Sequence, residues 1–392
     1  MNRIILKAGK DKSVFRYHPW IFSGAIAKTE GKIQEGELVK VYNSDNRYLA
    51  TGHYQIGSIA VRILSFEDIE INYDFWKNRI AQACKMRCNL GLTTSATNNV
   101  YRLVHGEGDD MPGLVIDYYA GVAVVQFHSV GMYLERENIA KALLEVMGGQ
   151  LTAIYDKSEG TLPYKAAIEP HNGYLYGKAE NFVALENGLK FNVDWLEGQK
   201  TGFFIDQREN RSLLEKYARD KHVLNMFCYT GGFSFYAMRG GACSVHSVDV
   251  SARAIELTKQ NVELNFPGDS RHEAFAEEAF RFLDHSRDKY DLIILDPPAF
   301  AKHQNVLNNA IQGYKKLNRK GIEVVKPGGI IFTFSCSQVM TKDLFRQTVF
   351  TAAANTGRKV RILHQLTQPA DHPINIYHPE GEYLKGLVLY VE

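Results

Sequence analysis

The stretch HVLNMFCYTGGFSFYAMRGG, residues 222–241, decides the fold class. It begins as an apolar run of strand length, passes through the small residues Thr230, Gly231 and Gly232, and continues as a helix. Small residues let the backbone approach a ligand closely at the start of a helix. The stretch therefore predicts a strand, a tight turn and a helix, the unit from which α/β sheets are built. It lacks a complete Gly-x-Gly-x-x-Gly pattern, so a plain strand-to-helix turn is the alternative.

The same alternation continues toward the C-terminus. Three further strand-like runs, VHSVDVS, YDLIILDPP and GGIIFTFSC, alternate with the helical segments ARAIELTKQNVELNF, AEEAFRFLDHSR and NNAIQGYKKLNRKGIEVV. Such alternation predicts a parallel sheet with helices on both faces. Ligands of these sheets bind beyond the carboxyl ends of the strands, so the loops at that edge are the candidate site.

The preceding sequence divides into two other blocks. Residues 1–70 alternate short β-like runs with Gly, Asn and Asp turns, which predicts a small β-barrel or sandwich. Residues 71–184 contain a helical segment, strands joined by an Ala-Gly turn, a helix near 132–147 and a turn-rich connector, which predicts an α+β module. The α/β domain then occupies residues 185–392.

Composition sets the class of protein. The 392 residues are 45% hydrophobic, and Lys+Arg 46 against Asp+Glu 44 leave a net charge of +2, which neither requires nor excludes nucleic acid. No apolar run approaches the roughly 20 residues of a membrane span, and no secretory signal is visible at the N-terminus, so we expect a cytoplasmic protein without a membrane span.

The cysteines predict neither disulfides nor a metal site. Five cysteines without a regular framework indicate reduced thiols. Cys84 and Cys88 are four residues apart on a predicted helix, but no second Cys or His pair completes a four-ligand set. We therefore interpret both as residues that pack on a helix face.

Asp249 is the first candidate ligand-binding residue. It ends the second predicted strand, eighteen residues past Gly231. A carboxylate there can accept hydrogen bonds from two adjacent ribose hydroxyls, so nucleoside binding is favoured. The alternative is that Asp249 or Ser251 caps the next helix, and the two roles are compatible. No Gly-x-x-x-x-Gly-Lys-Ser/Thr pattern supports triphosphate binding.

The segment DPPAF, residues 296–300, follows the third strand. Pro297 and Pro298 cannot continue the ladder of hydrogen bonds and fix the backbone, so Asp296 faces the sheet edge. Phe300 is available to stack on a flat base. The alternative is a stiff turn that only ends the strand.

Cys336 lies in TFSCSQ, residues 333–338, where the fourth strand stops. Free cysteines are usually buried and inert. If the strands that carry Asp296 and Cys336 are neighbours, however, their ends lie about 5 Å apart, and both side chains can reach one base. We therefore predict that Cys336 is catalytic, whereas Cys228 and Cys243 pack in the structure.

The order of NMFCYTGG, Asp249, EEAF, DPPAF and FSCS resembles that of the class I S-adenosylmethionine-dependent methyltransferases. In addition, QKTGFFIDQRENR, HPWIFSGAI and PEGEYLKG resemble segments of the bacterial 23S ribosomal RNA cytosine-5 methyltransferases that carry an N-terminal PUA domain. The resemblance implies a PUA β-barrel, a central α+β module and a catalytic domain with a mostly parallel seven-stranded sheet. It also implies S-adenosylmethionine as cofactor and large-subunit ribosomal RNA as partner.

The resemblance also implies roles for individual residues. Those expected around the cofactor are Phe204, Asp206, Arg208, Asn225, Phe227, Gly231, Asp249, Glu278 and Asp296. Those expected at the RNA are Pro297, Pro298, Phe300 and Lys302. The chain departs from the family at Glu278, where Asp is usual, and at Ala299, where many relatives have Lys and for which Lys302 could substitute.

The implied chemistry explains why a cysteine is needed. Carbon 5 of a pyrimidine is almost unreactive until a nucleophile adds at carbon 6, and a thiolate is a strong nucleophile near neutral pH. We expect Cys336 to add at carbon 6 of a cytosine while Asp296 hydrogen-bonds or protonates the ring at N3. Two alternatives stay open: an RNA purine N-methyltransferase on the same fold, and a non-catalytic RNA-binding assembly factor.

The N-terminus offers modest support for RNA binding. Basic residues cluster there with aromatic ones, which suits phosphate contacts and stacking. The cluster comprises Arg3, Lys7, Lys10, Lys12, Phe15, Arg16, Tyr17 and Trp20. A solvated basic face is the alternative, and the sequence leaves open whether two copies form a homodimer.

Overall fold

A computed structural model describes residues 2–163, 168–179, 182–301 and 303–392. The chain divides into two compact units. The first comprises Met1–Leu185, Val193–Ile205 and Ala370–Gly381, and the second comprises Glu186–Asn192, Asp206–Pro369 and Glu382–Glu392. Within the described ranges, no helix combines the length and apolar character that a bilayer crossing requires.

The first unit begins with a six-stranded sheet in the order β2-β6-β5-β4-β1-β3. Alternate residues of β4 are buried, as Val39 and Val41 show, because successive side chains of a strand point to opposite faces. The elements are β1 (Asn2–Leu6), α1 (Lys12–Phe15), β2 (Trp20–Phe22), β3 (Ile26–Glu30), β4 (Leu38–Tyr42), β5 (Tyr48–Tyr54) and β6 (Ile59–Ser65). The strands predicted for the N-terminal block are confirmed, together with one short helix, α1.

A second sheet of the first unit has five strands in the order β11-β10-β9-β8-β7. Its elements are α2 (Tyr73–Asn89), β7 (Val100–His105), β8 (Leu114–Tyr119), β9 (Val122–Phe127), α3 (Val130–Leu134), α4 (Arg136–Met147), β10 (Ala153–Asp156) and β11 (Gly173–Gly177). Ala120 and Gly121 both have positive φ, 46° and 103°, which is the conformation that a two-residue hairpin needs. The predicted Ala-Gly turn is therefore confirmed.

A two-stranded sheet, β12 (Val183–Glu186) and β13 (Leu189–Asn192), follows in sequence. The second unit then forms a seven-stranded sheet in the order β16-β15-β14-β17-β18-β20-β19. Its strands are β14 (His222–Met226), β15 (Ser244–Asp249), β16 (His272–Ala276), β17 (Leu292–Leu295), β18 (Gly329–Ser335), β19 (Val360–Leu366) and β20 (Lys385–Val391). Its helices are α5 (Arg208–Glu215), α6 (Gly232–Arg239), α7 (Ala252–Asn265), α8 (Ala279–Asp284), α9 (Leu307–Val324) and α10 (Lys342–Ala354).

The predicted sheet is confirmed as mostly parallel. Strands β14 to β18 pair in parallel, while β20 pairs antiparallel with both β18 and β19. Every residue of β17 is buried, as expected for an apolar strand that is covered on both faces. The carboxyl ends of β15, β14, β17 and β18 therefore follow one another along one edge of the sheet.

Candidate active site

The loop between β14 and α6 has an unusual backbone. Phe227, Tyr229 and Gly231 all adopt left-handed conformations, with φ of 58°, 47° and 85°. Such conformations cost roughly 1–3 kcal/mol each for non-glycine residues and persist only where the surroundings hold them. Two backbone hydrogen bonds do so here, from Cys228 N to Val248 O at 3.0 Å and from Gly231 N to Cys228 O at 2.8 Å. The loop is thus shaped in advance of any ligand.

Gly231 is required by space as well as by conformation. A Cβ atom at this position would lie 2.7 Å from Phe235 Cζ and 2.7 Å from Thr258 Cγ2. Any side chain would therefore push the loop away from α6 and α7. The close turn keeps the backbone N–H groups at the start of α6 accessible to an anionic group.

Asn225 lies beneath this loop and is 1% exposed. Its Nδ2 donates to Ser234 Oγ at 2.9 Å, whereas its Oδ1 has no hydrogen-bond partner within the described residues. A buried acceptor left unsatisfied costs about 1–3 kcal/mol. A donor on a ligand, such as the ammonium group of a methionine moiety, would satisfy it. The residues of the loop therefore fit S-adenosylmethionine.

Ser234 begins a chain of hydrogen bonds that runs from a buried serine pair to a half-buried histidine. Its Oγ lies 2.6 Å from Ser247 Oγ, which in turn lies 2.8 Å from His272 Nε2. Burial lowers the pKa of His272 to about 4, so its ring is neutral at pH 7. The chain links α6, β15 and β16 without a charged group.

Asp249, at the end of β15, accepts hydrogen bonds from the loop after β14 and from the turn after its own strand. Its Oδ2 accepts from Tyr229 N at 3.0 Å, and its Oδ1 accepts from Ser251 N at 2.9 Å. Ser251 caps α7, because its Oγ accepts from Ala254 N at 3.3 Å. Each carboxylate oxygen of Asp249 keeps further acceptor capacity for ribose hydroxyls.

Strands β17 and β18 carry the two residues that the sequence predicts to act on the substrate. The two strands are parallel neighbours, with Leu295 opposite Thr333. Asp296 and Cys336 come shortly after these paired residues, and Cys336 Sγ lies 4.0 Å from Pro297 O. The expected adjacency of the two strands is confirmed, and it brings the thiol to the Asp-Pro-Pro turn.

Gln207 was missed by the sequence analysis. Its Nε2 donates to Asp296 Oδ2 at 3.1 Å, and its Oε1 accepts from Asn210 Nδ2 at 2.6 Å. The adjacent Asp206 is also fixed, since its Oδ2 accepts from Tyr383 Oη at 2.7 Å. The segment FFIDQR was a usable signal, because its polar residues directly precede helix α5.

Comparison with known proteins identifies the family. The S-adenosylmethionine-dependent methyltransferase family matches residues 101–378, and the PUA-like domain family matches residues 4–66. The chain belongs to the S-adenosylmethionine-dependent methyltransferases. The family resemblance seen in the sequence is confirmed, and S-adenosylmethionine is the cofactor of this methyltransferase.

Relatives match the methyltransferase along its whole length. The protein named ribosomal RNA large subunit methyltransferase I from Pseudoalteromonas atlantica is 41% identical, over 100% of this chain and 99% of the relative. Its namesake from Vibrio vulnificus is 40% identical, over 99% of each chain. A solved structure described as an S-adenosylmethionine-dependent methyltransferase from Streptococcus mutans is 25% identical, with a TM-score of 0.85 over 100% of both chains. A second solved methyltransferase, in complex with S-adenosylhomocysteine, is 26% identical, with a TM-score of 0.86 over 100% of both chains.

Two other predicted cofactor residues of the methyltransferase have local partners. Glu278 is exposed and caps α8, where its Oε2 accepts from Arg281 N at 2.9 Å. Phe204 belongs to the first unit, where Lys200 Nζ lies 5.0 Å from the centre of its ring. Their cofactor contacts stay predictions.

Arg208 and Lys302 complete the predicted set. Arg208 is buried, and its Nε lies 3.2 Å from Glu209 Oε1. Lys302 lies outside the described residues. Its expected RNA contact and the cofactor contact of Arg208 therefore stay predictions as well.

Phe300 and its neighbours pack against α9. The centre of its ring lies 4.6 Å from that of Tyr314, and a Cβ on Gly313 would lie 2.9 Å from Phe300 Cδ2. Pro297 is buried, whereas Pro298 is exposed. The Asp-Pro-Pro turn is thus anchored on one side and open on the other.

Ser337, which follows Cys336 by one residue, joins three parts of the second unit. Its Oγ lies 3.0 Å from Tyr314 Oη and accepts from Ala301 N at 3.3 Å. Its carbonyl oxygen accepts from Lys385 Nζ at 2.7 Å. The backbone that carries the thiol is therefore held from α9, from the loop after β17 and from β20.

The cysteines of the methyltransferase differ in their surroundings. Burial raises the pKa of Cys84 to about 11, and burial together with Asp249 raises that of Cys228 to about 12. Cys336 is half-buried, while Cys88 and Cys243 are exposed. In the part of the chain that the structure describes, no three His, Cys, Asp or Glu side chains form a group that could hold a metal ion.

Proposed function

We propose that the chain methylates carbon 5 of a cytosine in large-subunit ribosomal RNA through a covalent adduct between Cys336 and carbon 6. The observation that carries the proposal is the position of the thiol: Cys336 Sγ lies 4.0 Å from Pro297 O, next to Asp296 at the end of a neighbouring strand. The relatives named ribosomal RNA large subunit methyltransferase I support the class of RNA.

The covalent route follows from the reactivity of the pyrimidine ring. The Cys336 thiolate forms a bond to carbon 6, and the electron pair of the C5=C6 bond moves toward N3, where Asp296 donates a proton. S-adenosylmethionine would supply an electrophilic methyl group to carbon 5 and would leave as S-adenosylhomocysteine, since the bond from methyl to sulfonium breaks as the new bond forms. Loss of the carbon 5 proton to water restores the double bond, expels the Cys336 thiolate and returns the N3 proton to Asp296.

Asp296 is suited to act at the ring edge because its position is fixed. Gln207 Nε2 holds Asp296 Oδ2 at 3.1 Å, and Gln207 is itself 3% exposed. A group held in place stabilises developing charge without reorganisation during the reaction. We therefore assign Asp296 to N3 and Gln207 to the support of Asp296.

The first unit supports an RNA substrate. Phe15 and Tyr17 are 48% and 52% exposed. Guanidinium groups lie over aromatic rings, with Arg47 Cζ 5.5 Å from the Phe15 centroid and Arg3 Cζ 4.0 Å from the Tyr42 centroid. Exposed rings and cations suit stacking on unpaired bases and contacts with phosphates.

The test is the identity of the methylated nucleoside. The purified protein is incubated with S-adenosylmethionine and unmodified large-subunit ribosomal RNA, with small-subunit RNA as the control, and the digested nucleosides are separated by mass spectrometry. We expect 5-methylcytidine in the large-subunit RNA only. Methylated adenosine or guanosine in its place would contradict the proposal, as would equal methylation of both RNAs. Tight cofactor binding by calorimetry without any product would favour the non-catalytic alternative.

A further inference from the structure

Lys385 lies where strand β20 passes the cysteine. The antiparallel register places Lys385 opposite Ser335, the residue before Cys336. Its ammonium group donates to Ser337 O at 2.7 Å, the carbonyl of the residue after Cys336. A hydrogen bond from Nζ to Tyr383 O at 2.6 Å completes the contacts. The lysine thus spans the backbone on both sides of the thiol.

The surroundings of this lysine are unusual for a buried cation. Lys385 is 3% exposed, and buried cations normally have a carboxylate partner. Among the described residues no carboxylate oxygen lies within 4.0 Å of Nζ, and two backbone carbonyls use two of its three N–H groups. By contrast, the buried Arg211 of the same unit is paired with Glu186 through two contacts of 2.8 and 2.7 Å.

We propose that Lys385 is a positioning residue for Cys336, whose ammonium charge stabilises the thiolate that the proposed addition to carbon 6 requires. The inference therefore rests on the proposed function. A lysine without a carboxylate partner keeps its charge available for a nearby thiolate, and a thiol beside a cation ionises more readily. Ionisation of Cys336 releases its proton to water and needs no other reactant.

The electrostatics around Lys385 agree with this assignment. Burial lowers the pKa of its ammonium group to about 8, while Cys336 and Glu382 act in the opposite direction and Lys342 lowers it further. Lys342 and Glu382 are themselves an ion pair near the surface. Tyr314, which faces Ser337 from α9, is kept neutral because burial raises its pKa. Of the two groups that raise the pKa of Lys385, Glu382 is already paired with Lys342, and the other is Cys336.

The test measures ionisation of the thiol directly. The rate at which iodoacetamide alkylates Cys336 is followed by peptide mass spectrometry between pH 6 and 10 in the wild type and in Lys385→Met, Lys385→Arg and Lys342→Met. We expect Lys385→Met to raise the apparent pKa of the Cys336 thiol by about 1, which makes alkylation at pH 7.5 about tenfold slower. Lys385→Arg keeps the charge and should restore most of the rate, and Lys342→Met should stay close to wild type.

A wild-type pH profile in Lys385→Met, with unchanged cofactor affinity by calorimetry, would overturn the assignment. If that variant loses cofactor binding, Lys385→Gln replaces it, because its amide can still donate to a backbone carbonyl without a charge. Alkylation does not depend on methyl transfer, so the two proposals fail separately. A shifted thiol pKa in a protein that makes no 5-methylcytidine would refute only the proposed function, and 5-methylcytidine formation with an unshifted pKa would refute only the role of Lys385.

Discussion

Two cysteines at the same edge of one sheet have opposite surroundings. Cys228 follows β14, is 6% exposed, and has its Sγ 3.8 Å from Thr258 Oγ1. Burial and the carboxylate of Asp249 raise its pKa to about 12. Cys336 follows β18, is half-buried, and comes directly after Ser335, which pairs with the buried cation Lys385. On the proposed account, a place at the carboxyl edge of the sheet is not sufficient for reactivity, and the exposure of the thiol and the sign of the nearby charge distinguish the two cysteines.

The largest effect that tests this comparison is on turnover. Cys336→Ala should lower the rate of methyl transfer by about 10³-fold or more, because no other group can form the covalent adduct. The matched control, Cys228→Ala, should stay within about threefold of the wild-type rate, since that thiol only fills space. Single-turnover methylation assays with equal cofactor occupancy would check both. Comparable losses of methyl-transfer rate in Cys336→Ala and Cys228→Ala would contradict the different roles assigned to the two cysteines.

A smaller effect is expected from the loop that carries Cys228. Gly231→Ala should weaken S-adenosylmethionine binding by about 10- to 100-fold, because the left-handed backbone and the 2.7 Å approaches to Phe235 and Thr258 both exclude a Cβ. Calorimetry measures the affinity. Gly268→Ala is the control for the conformational cost alone, since Gly268 also has positive φ but nothing lies within 4 Å of its Cβ position. Equal affinity in both variants would show that the loop is not the cofactor site.

The smallest effect concerns His272, the last residue of the uncharged chain of hydrogen bonds from Ser234 through Ser247. The pKa of His272 is about 4 in the folded protein and ordinarily about 6.5, so as the pH falls from 6.5 to 4 the unfolded chain takes up a proton that the folded chain does not. Stability is therefore lost across this window, by at most about 1.4 kcal/mol per pH unit for this group. In His272→Gln, the free energy of unfolding measured by denaturant titration should fall less between pH 7 and pH 5 than in the wild type. The same change of unfolding free energy with pH in both proteins would mean that folding does not lower the pKa of His272.

The sequence was sufficient for the parts of the fold that depend on local pattern. Apolar runs that alternate with amphipathic ones predicted the parallel sheet, and the edge position of Asp249, Asp296 and Cys336 followed from the ends of those runs. Strand β16 was missed because HEAFA, residues 272–276, contains charged residues and none of its positions is fully buried, so it has no apolar signature. Local pattern thus identifies central strands better than edge strands.

The features that the sequence did not predict depend on distant pairings. Lys385 lies beside the end of the strand that precedes Cys336 only because β20 inserts antiparallel between β18 and β19, a pairing that no local pattern specifies. Similarly, His372 is 1% exposed and the centre of its ring lies 5.0 Å from that of His105, although the two residues are far apart in sequence. Contacts between residues that are distant in sequence are identified only from the structure.

The most direct test of the central claim is covalent trapping of the nucleophile. Fluorine at carbon 5 of cytosine cannot leave as a proton, so the adduct at carbon 6 persists after methyl transfer. Large-subunit ribosomal RNA containing 5-fluorocytidine is incubated with the protein and S-adenosylmethionine, and the cross-linked peptide is sequenced by mass spectrometry. The account predicts a nucleotide adduct on Cys336 in the wild type and in Cys228→Ala. Normal 5-methylcytidine formation on unsubstituted RNA without any adduct on Cys336 would contradict it.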